Sequence, residues 1–376
     1  MLPSICWALV PSPSMPLRFA KRCRFAACGM QQLRHLSMLA ATAYGMKAQA
    51  KSFKWGWKGR EGEISYDVLF PNEAVSEDSK DLLPTLFIPA PSFVSTKTEW
   101  LPLVKAMAKR DPATRMLPIL VDLPGYGSNH QMPLTEEDMN AETFTHFFAD
   151  LVSHLQKDGG AGSLRIVAGG HTGFFALLAY RDLIPGSLSS LDRLVLASPT
   201  WRGPFPTIFR SKQDTGKTVA SLIRGAYGTP LVGGAVHGYL SSKGRLTKAL
   251  SSHVFTTEDA LGGGVLEEKQ RAATVERPSF VPPAFITGGL DPFGSVDEVT
   301  QFLKGLPAAL REKTCVLGGA DFPSASKEEL YRLRDYFAAY KEIPGALLCY
   351  EQFADEAAEA LSPVLSGALA AAAAAA

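Results

Sequence analysis

The segment Leu164–Tyr180, LRIVAGGHTGFFALLAY, constrains the fold of this chain more than any other stretch. Its apolar run Ile166–Ala168 predicts a buried strand, Phe174–Tyr180 predicts a helix, and three glycines crowd the turn between them. A strand, a tight turn and a helix in this order hold one side chain clear of the sheet, over backbone N–H groups at the start of the helix. The sequence predicts that Thr172 occupies this tip.

Unbroken apolar runs alternate with amphipathic helical patterns along the rest of the chain, and runs of this kind indicate strands buried on both faces of a parallel sheet. Two leading strands at Phe53–Trp57 and Ile64–Phe70 are predicted to be antiparallel. The fold class predicted is therefore α/β, with a mostly parallel, doubly wound sheet. Further strands are predicted at Leu83–Ile88, Leu117–Asp122, Leu191–Ala197, Pro283–Gly288, Thr314–Leu317 and Tyr340–Ile343, and the main helices at Trp100–Lys109, Glu136–Gln156, Lys327–Phe337 and Asp355–Leu365.

The alternation stops in a glycine-rich, basic stretch at residues 201–279, which is predicted to be a cap inserted after the sixth strand. Residues 53–200 and 280–366 then form the core of the fold. Residues 367–376 are an alanine tail, which is predicted to be disordered.

The N-terminal segment 1–52 differs in composition from the rest. Residues 1–60 contain ten Lys and Arg and no acidic residue, whereas the remainder holds 28 basic and 37 acidic residues. An acid-free segment of this kind is typical of an organelle transit peptide. We therefore expect residues 1–52 to be a targeting segment, for the plastid or alternatively the mitochondrion. A net charge of +1 does not favour nucleic acid as a partner, and no run is long enough to cross a bilayer.

Five stretches with distinctive turn residues follow one another along the chain. They are the loop Phe87–Phe93, the turn Asp122–Asn129, the elbow Gly170–Gly173, the segment Pro199–Pro204 and the turn Gly288–Gly294. In this order they resemble the α/β-hydrolase fold superfamily, of the AB hydrolase-1 type. The resemblance covers residues 53–366 and implies an enzyme acting on a small or lipid-like ester or thioester. With the N-terminal segment, the chain resembles a plastid member from a plant or alga.

This resemblance implies a nucleophile, an acid and a histidine, in that order along the chain. Thr172 takes the place of the nucleophile and Asp291 that of the acid. The place of the histidine falls at Leu347 or, in a second alignment, at Asp321, and no histidine follows His253. An unactivated hydroxyl is a poor nucleophile without a general base, so the triad is degenerate.

Other residues are expected around this site. The resemblance implies oxyanion donors at the N–H of Gly173 and at Ser92 or Phe93, because Pro91 has no N–H. It implies that His171 packs around the elbow. A base from elsewhere would have to come from one of three histidines, His130, His237 or His253.

Two functions remain open from the sequence. One is hydrolysis of an ester or thioester by Thr172 and Asp291 with an unorthodox base. The other is a non-catalytic protein that keeps the pocket for a small or lipid-like ligand or a partner. Neither a metal nor a cofactor is predicted. Thr215-Gly-Lys-Thr218 resembles the end of a phosphate-binding loop, but it lacks that loop's first glycine and the strand before it, so it does not predict a nucleotide site.

Overall fold

The computed structural model describes residues 41–42, 44–70, 82–110, 116–158, 162–204, 222–275, 278 and 280–366. Most of the predicted targeting segment, the alanine tail and residues 205–221 of the predicted cap lie outside this range. The first strand begins at Lys47, six residues before the predicted boundary at residue 53.

Eight strands of the described residues form one sheet in the order β1-β2-β4-β3-β5-β6-β7-β8. The first strand pairs antiparallel with the second, the second pairs antiparallel with the fourth, and all other pairs are parallel. The predicted mostly parallel sheet with two antiparallel leading strands is confirmed. The strands are β1 Lys47–Trp57, β2 Arg60–Phe70, β3 Leu83–Ile88, β4 Met116–Val121, β5 Leu164–Gly169, β6 Leu191–Ala197, β7 Thr314–Gly319 and β8 Ala339–Ile343.

Helices cover both faces of the sheet, and none of those described is long and apolar enough to cross a bilayer. They are α1 Leu101–Arg110, α2 Ala141–Asp158, α3 His171–Leu178, α4 Pro230–Leu240, α5 Lys243–Ala249, α6 Val265–Thr274, α7 Val281–Ile286, α8 Val296–Lys304, α9 Ala308–Lys313, α10 Ser324–Tyr331, α11 Cys349–Gln352 and α12 Ala354–Leu365.

Alternate residues of the central strands pack into two separate apolar cores, one on each face of the sheet. Ile166 of β5 packs into the core that contains α2 and α3, whereas its neighbour Val167 packs into the core that contains α1 and α12. Strand side chains point to opposite faces in turn, so unbroken apolar runs are what a sheet covered on both faces requires.

The strand predicted at Pro283–Gly288 is wrong, because Val281–Ile286 forms helix α7. Prolines 282 and 283 explain the difference. They lie in the first turn of this helix, where their missing N–H groups are not needed, and two consecutive prolines would leave two neighbouring donors missing from a sheet ladder. Strand β6 therefore pairs directly with β7, and the insertion between these two strands continues to Lys313.

The turn predicted at Asp122–Asn129 is tied down by the Asp122 carboxylate. Its Oδ2 accepts from the N–H of Ser128 at 2.7 Å and from the Ser128 hydroxyl at 2.8 Å. Its Oδ1 accepts from the N–H of Lys97 at 2.7 Å, and the Lys97 ammonium lies 2.8 Å from Asp67. These buried contacts join the loops that follow β3 and β4 at the carboxyl edge of the sheet.

Candidate functional site

The sharp turn between β5 and α3 places Gly170, not Thr172, at its tip. Gly170 has φ 53° and ψ −129°, and the helix begins at the next residue, His171. A positive φ of this kind favours glycine. A Cβ built on Gly170 would lie 2.8 Å from the Cβ of Ala90 and 3.5 Å from the Thr200 hydroxyl oxygen. The tip therefore has no side chain, and the loop after β3 closes over it.

Thr172 lies in the first turn of α3 and is fully buried. Its hydroxyl donates to the carbonyl of Pro89 at 2.7 Å. Among the described residues, none of the three alternative histidines hydrogen-bonds this hydroxyl. His130 is bonded to the Gly127 carbonyl at 2.9 Å, His237 to the Ala273 carbonyl at 2.6 Å, and His253 lies in the turn after α5. The Thr172 hydroxyl thus joins the elbow to the loop after β3.

His171 and Asp291 come together, although only a packing role was predicted for His171. The fully buried imidazole has Nε2 3.2 Å from Asp291 Oδ1 and Nδ1 2.8 Å from the Thr200 hydroxyl. Asp291 Oδ1 also accepts from the N–H of Gly203 at 2.8 Å. If Nε2 carries the proton toward the carboxylate, Nδ1 can accept the proton of Thr200. Carboxylate, imidazole and hydroxyl therefore form one chain that ends beside the bare tip.

Asp291 reaches this position from a loop between α7 and α8 rather than from the end of a strand. The aspartate that follows a strand after the insertion is Asp321, two residues beyond β7. Its Oδ2 accepts from the N–H of Gly345 at 3.1 Å, which ties it to the loop after β8. Leu347, in that loop, is a partly buried apolar side chain packed against the core. Neither predicted histidine position brings a proton-accepting ring to the elbow.

Two of the predicted oxyanion donors have acceptors within the chain. The N–H of Gly173 donates to the Gly170 carbonyl at 3.2 Å, and that of Ser92 donates to the Ala90 carbonyl at 2.7 Å. Phe93 packs its ring 5.8 Å from that of His237. The residue directly after the tip is His171, whose N–H belongs to the first helical turn, where no intrahelical acceptor exists. This N–H is the donor that a ligand oxygen at the elbow would meet.

A buried charge cluster next to the elbow was not predicted. It consists of Glu99, Lys269, Tyr350 and Glu351. The Lys269 ammonium lies 2.7 Å from Glu351 and 3.5 Å from Glu99, and the Tyr350 hydroxyl donates to Glu99 at 2.8 Å. A Cβ on Gly169, at the end of β5, would lie 3.2 Å from this hydroxyl. The cluster therefore joins α6 of the insertion to the core immediately beside the turn.

Burial determines the ionisation of this cluster. It raises the pKa of Glu351 to about 8 against the opposing effect of Lys269, and it raises the pKa of Glu99. Burial, with Glu99 alongside, also raises the pKa of Tyr350. Spacing could not have revealed the cluster, because Lys269 lies in the polar run Glu267-Glu-Lys-Gln-Arg271, which is typical of a solvated helix face. Among the described residues no group of three or more His, Cys, Asp and Glu is arranged to hold a metal ion.

Comparisons with known proteins establish the fold. No family model and no curated protein matches the sequence. Solved structures do match. A thermophilic esterase from Thermogutta terrifontis is 17% identical with a TM-score of 0.52, over 83% of this chain and 96% of that one. The Cif epoxide hydrolase from Acinetobacter nosocomialis is 15% identical with a TM-score of 0.55, over 89% and 95%.

A haloalkane dehalogenase loop variant from Bradyrhizobium elkanii is 17% identical with a TM-score of 0.52, over 86% of this chain and 99% of that one. Identities this low show the fold and leave the activity open. The chain has the α/β-hydrolase fold, as its sequence predicted.

Proposed function

We propose that this protein binds a small or lipid-like ligand at the elbow of an α/β-hydrolase fold and does not hydrolyse it. The observation that carries the proposal is Gly170 at the tip of the turn, with Ala90 closing over it. Acyl transfer at an elbow needs a side-chain nucleophile at the tip and a base that takes its proton. Gly170 has no side-chain nucleophile, and the hydroxyl of Thr172 donates its hydrogen bond to the Pro89 carbonyl.

The features that would hold a ligand remain. The N–H of His171 opens helix α3, and the start of a helix favours a carbonyl or carboxylate oxygen. The N–H of Ala90 lies beside the same turn, with its nitrogen 3.1 Å from the position of a Cβ on Gly169. These groups support recognition of an oxygen-bearing head group without a covalent step.

Photo-crosslinking tests the binding site directly. We expect a diazirine-bearing fatty acid and its methyl ester to label peptides that contain residues 88–93, 169–173 or 199–203, and the unmodified compounds to compete. The same protein should not react with a fluorophosphonate probe and should not turn over short or long p-nitrophenyl esters. Absence of saturable labelling in these three segments would contradict the binding proposal.

A second function is favoured by the chain of hydrogen bonds from Thr200 through His171 to Asp291. Thr200 is only partly buried, and its hydroxyl lies beside the bare tip. In this case the Thr200 oxygen attacks an ester carbonyl while His171 Nδ1 takes the hydroxyl proton and passes it to the leaving alcohol. Water then hydrolyses the acyl-threonine by the reverse proton path.

Matched variants separate the two functions. Thr200→Val removes the hydroxyl that bonds His171, whereas Thr172→Val removes the hydroxyl that bonds Pro89. One pair of results would establish hydrolysis and overturn the binding proposal. Thr200→Val would have to lower ester turnover by about 10²-fold or more, and Thr172→Val would have to leave it unchanged. Turnover absent from the wild-type protein supports binding.

A further inference from the structure

Helix α4 of the insertion presents an apolar stripe to solvent. Val232, Val236 and Tyr239 are spaced four and three residues apart and so share one face of the helix. They are 48%, 37% and 53% exposed, and three of the five large exposed apolar side chains among the described residues are in this stripe. Exposed apolar groups gathered on one helix, rather than scattered singly, indicate an interaction surface.

The side of α4 next to this stripe packs against the rest of the insertion. Gly233 is buried, and the imidazole of His237 bonds the Ala273 carbonyl of α6 at 2.6 Å and the Tyr227 hydroxyl at 3.3 Å. These contacts fix the rotation of the helix on the insertion. The apolar stripe is therefore held facing outward and is not a face that awaits packing within the described chain.

Positive charge lies beside the stripe. The next helix, α5, exposes Lys243, Arg245 and Lys248 while it buries Leu246. The Arg245 guanidinium lies 4.7 Å above the Tyr239 ring, which joins the basic helix to the stripe. Lys243 pairs with Glu267 at 3.3 Å, whereas no described carboxylate forms an ion pair with Arg245 or Lys248.

The sequence extends this charge pattern beyond the two helices. Residues 215–257 contain five basic residues and no Asp or Glu, in a chain whose residues 61–376 carry a formal charge of −9. The two helices together supply the two contributions that hold a protein at a membrane interface, exposed apolar and aromatic side chains on α4 and exposed Lys and Arg on α5. Anionic head groups attract such cations over roughly a Debye length.

We propose that the outer face of the insertion, formed by α4 and α5, docks on an anionic phospholipid surface. Val232, Val236 and the Tyr239 ring enter the boundary between head groups and acyl chains, and Arg245 and Lys248 contact lipid phosphates. The proposal is independent of what happens at the elbow, because the two sites share no residue.

The test uses the full chain with vesicles of phosphatidylcholine alone or of equimolar phosphatidylcholine and phosphatidylglycerol. We expect flotation with the anionic vesicles only. Arg245→Gln with Lys248→Gln should weaken binding about 25-fold, since each cation at such a surface contributes about fivefold. Val232→Ser with Val236→Ser should weaken it about tenfold or more through lost apolar burial.

Matched controls are available on the same chain. Leu183→Ser removes an exposed apolar side chain outside the insertion, and Lys109→Gln with Lys304→Gln removes two exposed charges elsewhere. Both should leave binding within about twofold of the wild-type value.

Hydrogen exchange provides a local measurement that the basic N-terminal segment cannot mimic. Anionic vesicles should slow amide exchange in residues 230–249. Equal binding to neutral vesicles, unchanged binding in both double variants, or no protection of residues 230–249 would overturn the proposal. Self-association in the absence of lipid would also overturn the proposal if Val232→Ser with Val236→Ser abolished it. That result would show that the apolar stripe binds a second copy of the chain.

Discussion

Replacing Lys269 with methionine should destabilise the protein by about 3–5 kcal/mol near pH 8. The ammonium is buried between Glu351 and Glu99, at 2.7 and 3.5 Å. Methionine fills a similar volume but leaves two buried carboxyl groups without a cation. The magnitude is that of breaking a buried ion pair from one side, where the uncompensated charge dominates the loss.

The loss should depend on pH because the carboxyl groups can take up protons. Burial raises the pKa of Glu351 from 4.5 to about 8, so its contribution to stability is fully present below pH 4.5 and is lost as the pH rises toward 8. Without Lys269 this pKa rises further. The difference in unfolding free energy between variant and wild type should therefore be smaller at pH 5 than at pH 8.

Urea unfolding at the two pH values measures both effects. Lys243→Met is the matched control, since Lys243 pairs with Glu267 at 3.3 Å on the same insertion but both side chains are more than half exposed. It should leave the free energy of unfolding nearly unchanged at either pH, because an exposed ion pair contributes little. A Lys269→Met loss no larger than that of the control, or equal losses at pH 5 and pH 8, would refute the account of the buried charge cluster.

Three further predictions follow from the elbow, the thiols and the N-terminus. Gly170→Ala should cost about 1–3 kcal/mol in urea unfolding, because its Cβ would meet Ala90 at a positive φ, whereas Gly186→Ala, with open space around it, should cost far less. Burial raises the pKa of Cys315 to about 12 and that of Cys349 to about 11, so peptide mapping should find both unmodified after native alkylation and modified after unfolding; rapid native reaction would show that the core opens. We propose that residues 1–52 direct a fused fluorescent protein to plastids, and import into mitochondria or retention in the cytosol would contradict this.

Local patterns were sufficient for most of the fold and insufficient for the site. Apolar runs located the five central strands, β3 to β7, within a few residues, because burial on both faces leaves a strong signal. The tip of the elbow was displaced by two residues because glycines at 169, 170 and 173 all permit sharp turns. The position is set by tertiary contacts, above all the bond from the Gly170 N–H to the Ala197 carbonyl at 3.0 Å. No local pattern contains that contact.

The buried charge cluster and the bare elbow support the same interpretation of the protein. A hydrolase whose insertion covers its site must let that insertion move when substrate enters and product leaves. Here α6 holds Lys269 between the buried carboxyl groups of Glu351 and Glu99, beside the end of β5. Withdrawing the Lys269 side chain from the cluster would cost about the same free energy as removing it, about 3–5 kcal/mol. The open form would therefore be limited to roughly one molecule in 10²–10⁴. An insertion fixed in this way suits a stable outer face and a retained ligand better than repeated turnover.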